Sequence, residues 1–238
     1  MTMKTMVVMP TYNEADNLVQ MAAELMTLRL DGLEILIIDD NSPDGTGQIA
    51  EELAVQYPNK LHVIHRHGKM GLGTAYITGF RYALEEGGDY IIQMDADFSH
   101  SPSYLPLFLD KIGECDMVIG SRYVAGGGVD KRWSPWRRFL SWGGNVYARL
   151  ITGLRVHDTT GGFRCFRRQA LLDLDLERIR SEGYAFQIEM AYACQKKGLR
   201  LCEMPIYFED RSMGQSKMSS LIILEAMWRV WQMRWWYR

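Results

Sequence analysis

Asp89-Tyr90-Ile91-Ile92-Gln93-Met94-Asp95-Ala96-Asp97 is the stretch whose reading decides the fold. A short apolar run, the pattern of a strand buried on both faces, stops at two carboxylates one residue apart. On an extended backbone alternate side chains share a face, which predicts Asp95 and Asp97 pointing together at the strand's carboxyl end. Ligands of open α/β sheets sit at that end. Two like charges held close call for a cation between them, so the pattern asks for a divalent metal and a phosphate-bearing ligand. A solvated acidic turn is the plainer reading of the same tripeptide, and its surroundings decide.

Working outward, similar units recur. Thr5–Met9 predicts a strand stopped by Pro10, and Pro10-Thr11-Tyr12-Asn13-Glu14 a polar turn opening a helix with Asn13 as its cap. Leu33–Ile38 predicts a second buried strand ending in Asp39-Asp40-Asn41-Ser42-Pro43-Asp44-Gly45-Thr46, with a helix from Thr46 to Tyr57. A third strand spans Leu61–His65, followed by a basic glycine-containing loop and a helix reaching Glu86. Ser103–Ile112 predicts a helix and Met117–Ile119 a fifth strand. This alternation implies right-handed crossovers and a mostly parallel sheet with helices on both faces. Gly71-Leu72-Gly73-Thr74-Ala75-Tyr76 lacks the third glycine of a dinucleotide fingerprint and follows the wrong strand, and no P-loop is present.

Beyond Arg122 the character changes. Gly126-Gly127-Gly128 predicts a flexible connection. A basic, tryptophan-bearing stretch, Lys131–Arg138, then leads into a helix over about 135–151. Asp158–Arg164 predicts a tight turn, 183–197 a helix, and 200–208 one or two strands broken by Pro205. With 27 basic and 29 acidic residues, net charge gives no case for nucleic acid as a partner. The four cysteines form no C-x-x-C pair, the usage of reduced thiols in a cytoplasmic setting. The first apolar run is too short for a signal peptide, and no stretch approaches the roughly 18 to 20 apolar residues of a spanning helix.

Acidic or aromatic residues therefore close three strands: Tyr12 and Glu14, Asp39 and Asp40, Asp95 and Asp97. In the functional reading Asp40 accepts hydrogen bonds from a nucleobase, Tyr12 flanks it, and the metal carboxylates hold a diphosphate. In the plain one, Asp39–Ser42 is turn and cap chemistry.

Together with Gly120-Ser121-Arg122-Tyr123, Thr160-Gly161-Gly162-Phe163-Arg164 and Gly183-Tyr184-Ala185-Phe186-Gln187, these motifs make the chain resemble the family 2 glycosyltransferases of GT-A fold. Within them, it resembles the dolichol-phosphate (polyprenyl-phosphate) mannose synthases, through Ser-Pro-Asp-Gly-Thr and Gly-Leu-Gly-Thr-Ala-Tyr. The resemblance implies a GDP-mannose site at Pro10, Tyr12, Glu14, Ile38, Asp40, Asp95, Ala96, Asp97, Arg122, Arg211 and Lys217. It implies Mg2+ or Mn2+ on Asp95 and Asp97, and a polyprenyl or dolichyl monophosphate acceptor. Ser99 stands where some relatives carry Gln. A lipid phosphate is largely dianionic at neutral pH and is already a nucleophile. What it needs is cationic positioning, for which Arg122, Arg137, Arg138 and Ser141 are the candidates. Asp95, Asp97 and Arg122 form the expected catalytic set, and inversion at the anomeric carbon the expected outcome. Glu189 ranks as structural.

The expected domains are a catalytic unit over 1–218, with a nucleotide-sugar half (1–122) and an acceptor half (123–218), then a Trp-rich amphipathic helix over 219–238. In that helix Leu221, Leu224, Met227, Trp228, Trp231 and Trp235 share a stripe, with Arg229, Arg234 and Arg238 able to meet anionic lipid. It predicts peripheral association with the cytoplasmic face of a membrane; docking on the chain's own body or on a second copy is the competing reading. An auxiliary membrane subunit is left open. The competing functions are transfer from UDP-glucose or another nucleotide sugar to the same lipid, a non-catalytic nucleotide-sugar-binding subunit, and metal-dependent phosphoester hydrolysis. The last lacks ligands for two metals.

Overall fold

In the computed structural model the described residues are 3–210 and 220–237, with backbone alone for 220–225. Arg211 and Lys217, expected at the donor, lie outside them, as do the side chains of Leu221, Leu224 and Arg238.

The first strand, β1 (Thr5–Thr11), is the middle of the construction. It pairs in parallel with β2 (Leu33–Asp39) on one side and β4 (Tyr90–Gln93) on the other. β3 (Leu61–His65) extends the sheet beyond β2. Past β4 come β7 (Arg164–Arg167), β5 (Met117–Ser121) and β8 (Leu201–Pro205), giving the order β3-β2-β1-β4-β7-β5-β8. The strand order reverses between β1 and β4, the kind of place where open sheets leave a crevice. The sheet runs unbroken across residue 122, so the two expected halves share it.

Alternating side chains explain the layering. Met6 and Val8 join a core layer with α3 (Leu72–Glu85), α6 (Arg168–Asp173) and α7 (Gly183–Lys196), while Val7 and Met9 join the opposite layer with α1 (Ala15–Thr27), α2 (Thr46–Gln56) and α4 (Leu105–Lys111). Both faces are covered, which is why the strands read as continuous apolar runs.

Several expectations need correcting. β1 does not stop before Pro10; the strand carries it. Val8 accepts a bond from Met94 N on the β4 side, and Pro10, two residues on, faces the same side where β4 has already ended. No neighbour there asks for the missing N–H. β4 ends at Gln93, so the extended alternation does not reach Asp95 and Asp97; they stand on the loop beyond, where Phe98 takes φ 62°. Asn13, also at positive φ, is not the cap of α1. The loop before α2 and that helix's first residue supply acceptors instead: Asp44 Oδ2 takes Ala15 N (3.2 Å) and Thr46 Oγ1 takes Glu14 N (2.9 Å). The expected turn around Arg164 leads into β7, which is antiparallel to both neighbours. Gly126–Gly128 is not a loose tether. Gly127 N bonds Val124 O, a Cβ on Gly127 would approach Ser121 O at 2.5 Å, and Gly128 opens β6 (Gly128–Val129), which pairs with β9 (Tyr207–Phe208).

α5 (Pro135–Thr152) is capped by Ser134 Oγ, which accepts Arg137 N at 3.2 Å. α8 (Ser220–Trp236) docks beside it. Val230 and Met233 are buried in the body, Tyr147 Oη donates to Met227 O (3.1 Å) and Arg234 Nη1 to Ile151 O (2.9 Å). Met227, Trp228, Trp231 and Trp235 remain outward.

Arg164 is the least expected core member. It is fully buried, and its guanidinium donates to the carbonyls of Gly161 (2.9 Å), Gln187 (2.7 Å) and Thr159 (3.0 Å). Burial pushes its pKa down to about 10, so it keeps its charge at neutral pH. Arg164→Leu removes three donors from buried carbonyls and is expected to cost about 3 kcal/mol. The corresponding loss of Tm, roughly 6–12 °C, is readable by calorimetry.

Candidate active site

The ends of β1 and β2 and the start of α3 form one wall. Of the two acids that close β2, Asp39 builds the turn: Oδ1 accepts Ser42 Oγ (2.6 Å) and Oδ2 accepts Ser42 N (3.2 Å). Asp40 instead faces cations. Its Oδ1 lies 3.1 Å from Arg66 Nη1, close enough for charge but outside hydrogen-bond geometry. Burial raises its pKa, and Arg66 opposes that rise. Arg66 is itself fixed by Thr74 Oγ1 (2.7 Å) and Gly71 O (3.4 Å) at the mouth of α3. Lys69 Nζ stands 4.4 Å over the ring of Tyr12. Glu14 accepts from Asn17 Nδ2 (2.8 Å), while the Ile38 side chain is buried in the core beneath. Glu182 borders this wall, accepting from Gly73 N at 2.7 Å; burial raises its pKa against that bond.

The loop after β4 forms the floor. Asp95 is partly exposed, and its Oδ1 accepts the buried Tyr76 hydroxyl at 2.8 Å. Burial, then the Asp95 charge, drives the Tyr76 pKa well above its ordinary value, so the phenol stays a donor. His100 is fully buried against Phe163, and its Nδ1 accepts Asp95 N at 3.2 Å. Burial lowers its pKa and keeps it neutral. Asp97 is almost buried, with Oδ1 accepting Ser99 N (3.0 Å) and Ser99 Oγ (2.5 Å). Ser99 therefore orients Asp97. Ala96 is buried between the two acids.

The third side starts from Arg122 at the end of β5. It is buried and forked onto Asp158: Nε to Oδ2 and Nη2 to Oδ1, both 2.7 Å. Burial would raise the Asp158 pKa, but the guanidinium outweighs it and the net shift is downward. Nη2 also donates to Thr160 Oγ1 (2.8 Å), which takes Asn145 Nδ2 of α5 at 3.2 Å. Tyr123 Oη donates to Ser141 Oγ (2.7 Å). Arg137 pairs with Asp210 (2.9 Å) and stacks over Trp133, whose edge meets Phe208, the ring that Arg122 also faces. Arg122, Arg137 and Ser141 are thus linked through aromatics on one side of the crevice. Arg138 donates to the carbonyls of Asp130 and Lys131 in the preceding loop.

Sequence reasoning missed Arg66, Lys69, Tyr76, His100, Asp158 and Glu182. Of these, Tyr76 closes the quoted Gly71–Tyr76 stretch, His100 follows the Asp95–Asp97 pair, Asp158 opens the quoted turn and Glu182 directly precedes Gly183–Gln187, but none was given a role; Arg66 and Lys69 lay only in the basic loop.

The geometry is that of a GT-A glycosyltransferase, and comparison agrees. The chain matches glycosyl transferase family 2 over residues 6–174 and belongs to that family. It is 44% identical over 231 residues to the polyprenol monophosphomannose synthase of Mycolicibacterium smegmatis, covering 96% of this chain and 86% of that one. It is 43% identical over 225 residues to the undecaprenyl-phosphate mannosyltransferase of Micrococcus luteus, covering 94% and 91% respectively. In fold it is similar to a Pyrobaculum calidifontis mannosyltransferase solved with GDP-Man and Mn2+, with TM-score 0.61, 17% identity, and coverage of 90% and 58%.

The Arg122–Asp158 pair yields an acid test. Because the folded pKa of Asp158 is depressed, its stabilisation is complete above the usual carboxylate value of about 4 and is lost as pH falls through the folded value. Asp158→Asn is expected to cost about 3–5 kcal/mol at pH 7, since Arg122 is left buried and unpaired. Denaturant unfolding from pH 7 down to 3 should show the difference between variant and wild type shrinking on acidification.

Proposed function

We propose that this glycosyltransferase moves mannose from GDP-mannose to a polyprenyl monophosphate, giving the β-linked polyprenyl phosphate mannose and GDP. The observation that carries the reading is the three-sided crevice. Polar nucleoside-facing groups, two adjacent carboxylates and an arginine-centred wall meet where β1, β4 and β5 end. The acceptor and sugar are supported by the names of the two relatives above 40% identity. The donor is supported by motif resemblance and by the GDP-Man-bound neighbour.

Asp40, Arg66 and Tyr12 with Lys69 form the nucleoside end. Asp40 Oδ1 and Arg66 Nε are buried without hydrogen-bond partners among the described residues, a polar demand that a nucleobase edge meets. Asp95 and Asp97 fit a hard divalent cation, Mg2+ or Mn2+, in their donor chemistry. No cluster of three or more His, Cys, Asp or Glu is present among the described residues, and one or two carboxylates plus phosphate oxygens suffice for such an ion. Bound there, it neutralises charge gathering on the departing diphosphate. Tyr76 and His100 fix Asp95, and Ser99 fixes Asp97. Arg122, with Nη1 not committed to Asp158 or Thr160, and Arg137 with Ser141 hold the acceptor phosphate in line. One of its oxygens bonds to the anomeric carbon as the bond to the GDP phosphate breaks and its electron pair leaves with GDP. The attacking oxygen carries no proton, so no base is required. Arg211 and Lys217 complete the donor contacts in this reading.

Incubation of the purified protein with Mn2+ or Mg2+, a short polyprenyl phosphate and either GDP-mannose or UDP-glucose tests the proposal. Turnover with GDP-mannose and a loss of at least about a hundredfold in Asp95→Ala and Asp97→Ala are expected. Turnover with UDP-glucose alone would transfer the same mechanism to the other donor. No turnover with either, alongside nucleotide binding, would point to a binding subunit.

The enzyme works at a membrane surface in this proposal, peripherally and on the cytoplasmic side. No described helix is long and apolar enough to cross a bilayer. What supports the surface role is exposure: Trp136, Phe139 and Trp142 on α5 and Trp228, Trp231 and Trp235 on α8 are each 42–66% exposed, on helices knitted side by side. Neither α5 nor residues 226–236 contain an acid, and they carry Arg137, Arg138, Arg149, Arg229 and Arg234. Such a surface suits anionic headgroups. Replacing Trp228, Trp231 and Trp235 by Ser together is expected to cut co-sedimentation with anionic liposomes by about fivefold or more. Equal sedimentation would remove the membrane role from α8.

A further inference from the structure

α3 opens on Gly71-Leu72-Gly73-Thr74, and the space beside both glycines is taken. A Cβ on Gly71, which sits at φ 102°, would collide with the Glu182 carboxylate. A Cβ on Gly73 would stand 2.7 Å from Ser181 O and 3.1 Å from Glu182 Oε2. The helix has no side-chain cap of its own. Glu182, more than a hundred residues away, supplies the acceptor, taking Gly73 N at 2.7 Å. The same turn provides Gly71 O and Thr74 Oγ1, the two groups that aim Arg66 at Asp40.

From the other direction, Glu182 belongs to a turn pinned by Glu189. Glu189 is fully buried; Oε2 accepts Ser181 N (2.8 Å) and Arg180 N (3.2 Å), and Oε1 accepts Tyr237 Oη (3.1 Å) just beyond α8. Arg178 Nη2 donates to Trp236 O at 3.0 Å, and Arg180 lies 5.7 Å over the Trp236 ring. A continuous set of contacts thus runs from the C-terminal helix to the Arg66–Asp40 pair.

We infer that Glu182 is a positioning residue of the nucleoside pocket, held in place by the C-terminal helix through Tyr237 and Glu189. The inference rests on the reading of Tyr12, Asp40 and Arg66 as that pocket. Without the Glu182 charge the first turn of α3 keeps only a weaker, neutral acceptor, the perch of Arg66 loosens, and Asp40 is less firmly oriented. Nothing in this chain of contacts touches Arg122 or Ser141, so the effect falls on the donor and spares the acceptor.

The test is calorimetric titration of the full chain with GDP in the presence of Mn2+, paired with separate KM values for GDP-mannose and a short polyprenyl phosphate. Glu182→Gln is expected to weaken GDP binding and raise the donor KM about tenfold, the size typical of losing a group that orients a ligand contact, with the acceptor KM unchanged. Glu182→Asp, which keeps the charge, should recover most of the loss. Tyr237→Phe, which removes one hydroxyl, should raise the donor KM about threefold. Glu182→Gln that binds GDP like wild type but melts lower would make Glu182 a helix cap only, and a shift confined to the acceptor KM would equally overturn the inference. Should Glu182→Gln not fold, Tyr237→Phe decides: an unchanged donor KM sinks the idea. Wild type that binds neither GDP nor UDP would defeat the pocket reading itself; equal binding by wild type and variants defeats only this inference.

Discussion

A carboxylate and a guanidinium, both cut off from water, set the terms for the crevice. Asp158 has no exposed surface, and Arg122 has little. Each would be ruinous alone, and the pair is tolerable only because the fork is bidentate and Asp158 also accepts the backbone N–H groups of Arg122 (3.0 Å) and Gly161 (2.9 Å). Satisfying that geometry forces residues 158–162 to close over the end of β5. The closure carries Thr160 to Arg122, brings Asn145 of α5 onto the Thr159 and Thr160 amides, and sets Gly162 beside Asp95. It also delivers the chain into β7 between β4 and β5, so the two strands that lead to Asp95 and Arg122 are held one strand apart. Glu203 on β8 reinforces the arrangement by accepting His157 N and Asp158 N.

The acids around the crevice divide by what surrounds them. Asp39, Asp44 and Glu189 have their oxygens taken up by local amides and hydroxyls and act as builders. Asp40 and Asp95 are held by one or two neighbours and keep capacity toward the crevice. For Asp39 and Asp44 this is turn chemistry, closed by Ser42 and Thr46 two or three residues on; Asp40 has the same Ser42 two residues on, but that residue is taken by Asp39. Asp97 is oriented by Ser99, which engages one of its oxygens.

That division marks how far the sequence could be read. The apolar runs, their alternation with helices and the acidic strand ends were legible because burial on both faces leaves a continuous signature and turns leave polar ones. The resemblance added the family, which the comparisons bear out. Three things escaped for physical reasons. β7 is four residues, Arg-Cys-Phe-Arg, with a charged residue at each end; its inclusion depends on partners for Arg164 that lie up to 23 residues away. Arg66 and Lys69 sit in a basic loop of ordinary composition, and only tertiary contact with Asp40 and Tyr12 distinguishes them. Glu182 bears on Gly73 across 109 residues, and no periodicity records such a contact. The extended reading of Asp95 and Asp97 failed for a related reason: a strand continues only while its neighbours supply a ladder, and past Met94 the neighbours no longer do.

α5 has two unlike faces. Asn145, Ala148 and Thr152 are buried toward the body, and Ser141 meets Tyr123 beside Arg122, while Trp136, Phe139, Trp142 and Leu150 face outward. A helix with side chains is about 10–12 Å across. On the proposed reading, a lipid phosphate anchored in the bilayer that those tryptophans enter therefore has only about one helix thickness to cross before reaching Arg122. The aromatic face is then a requirement of the substrate: an acceptor that cannot leave its membrane needs an enzyme whose catalytic wall is also its outer surface. In keeping with that reading, α8 is fastened to α5 by backbone-directed bonds from Tyr147 and Arg234, which leave Trp228, Trp231 and Trp235 outward.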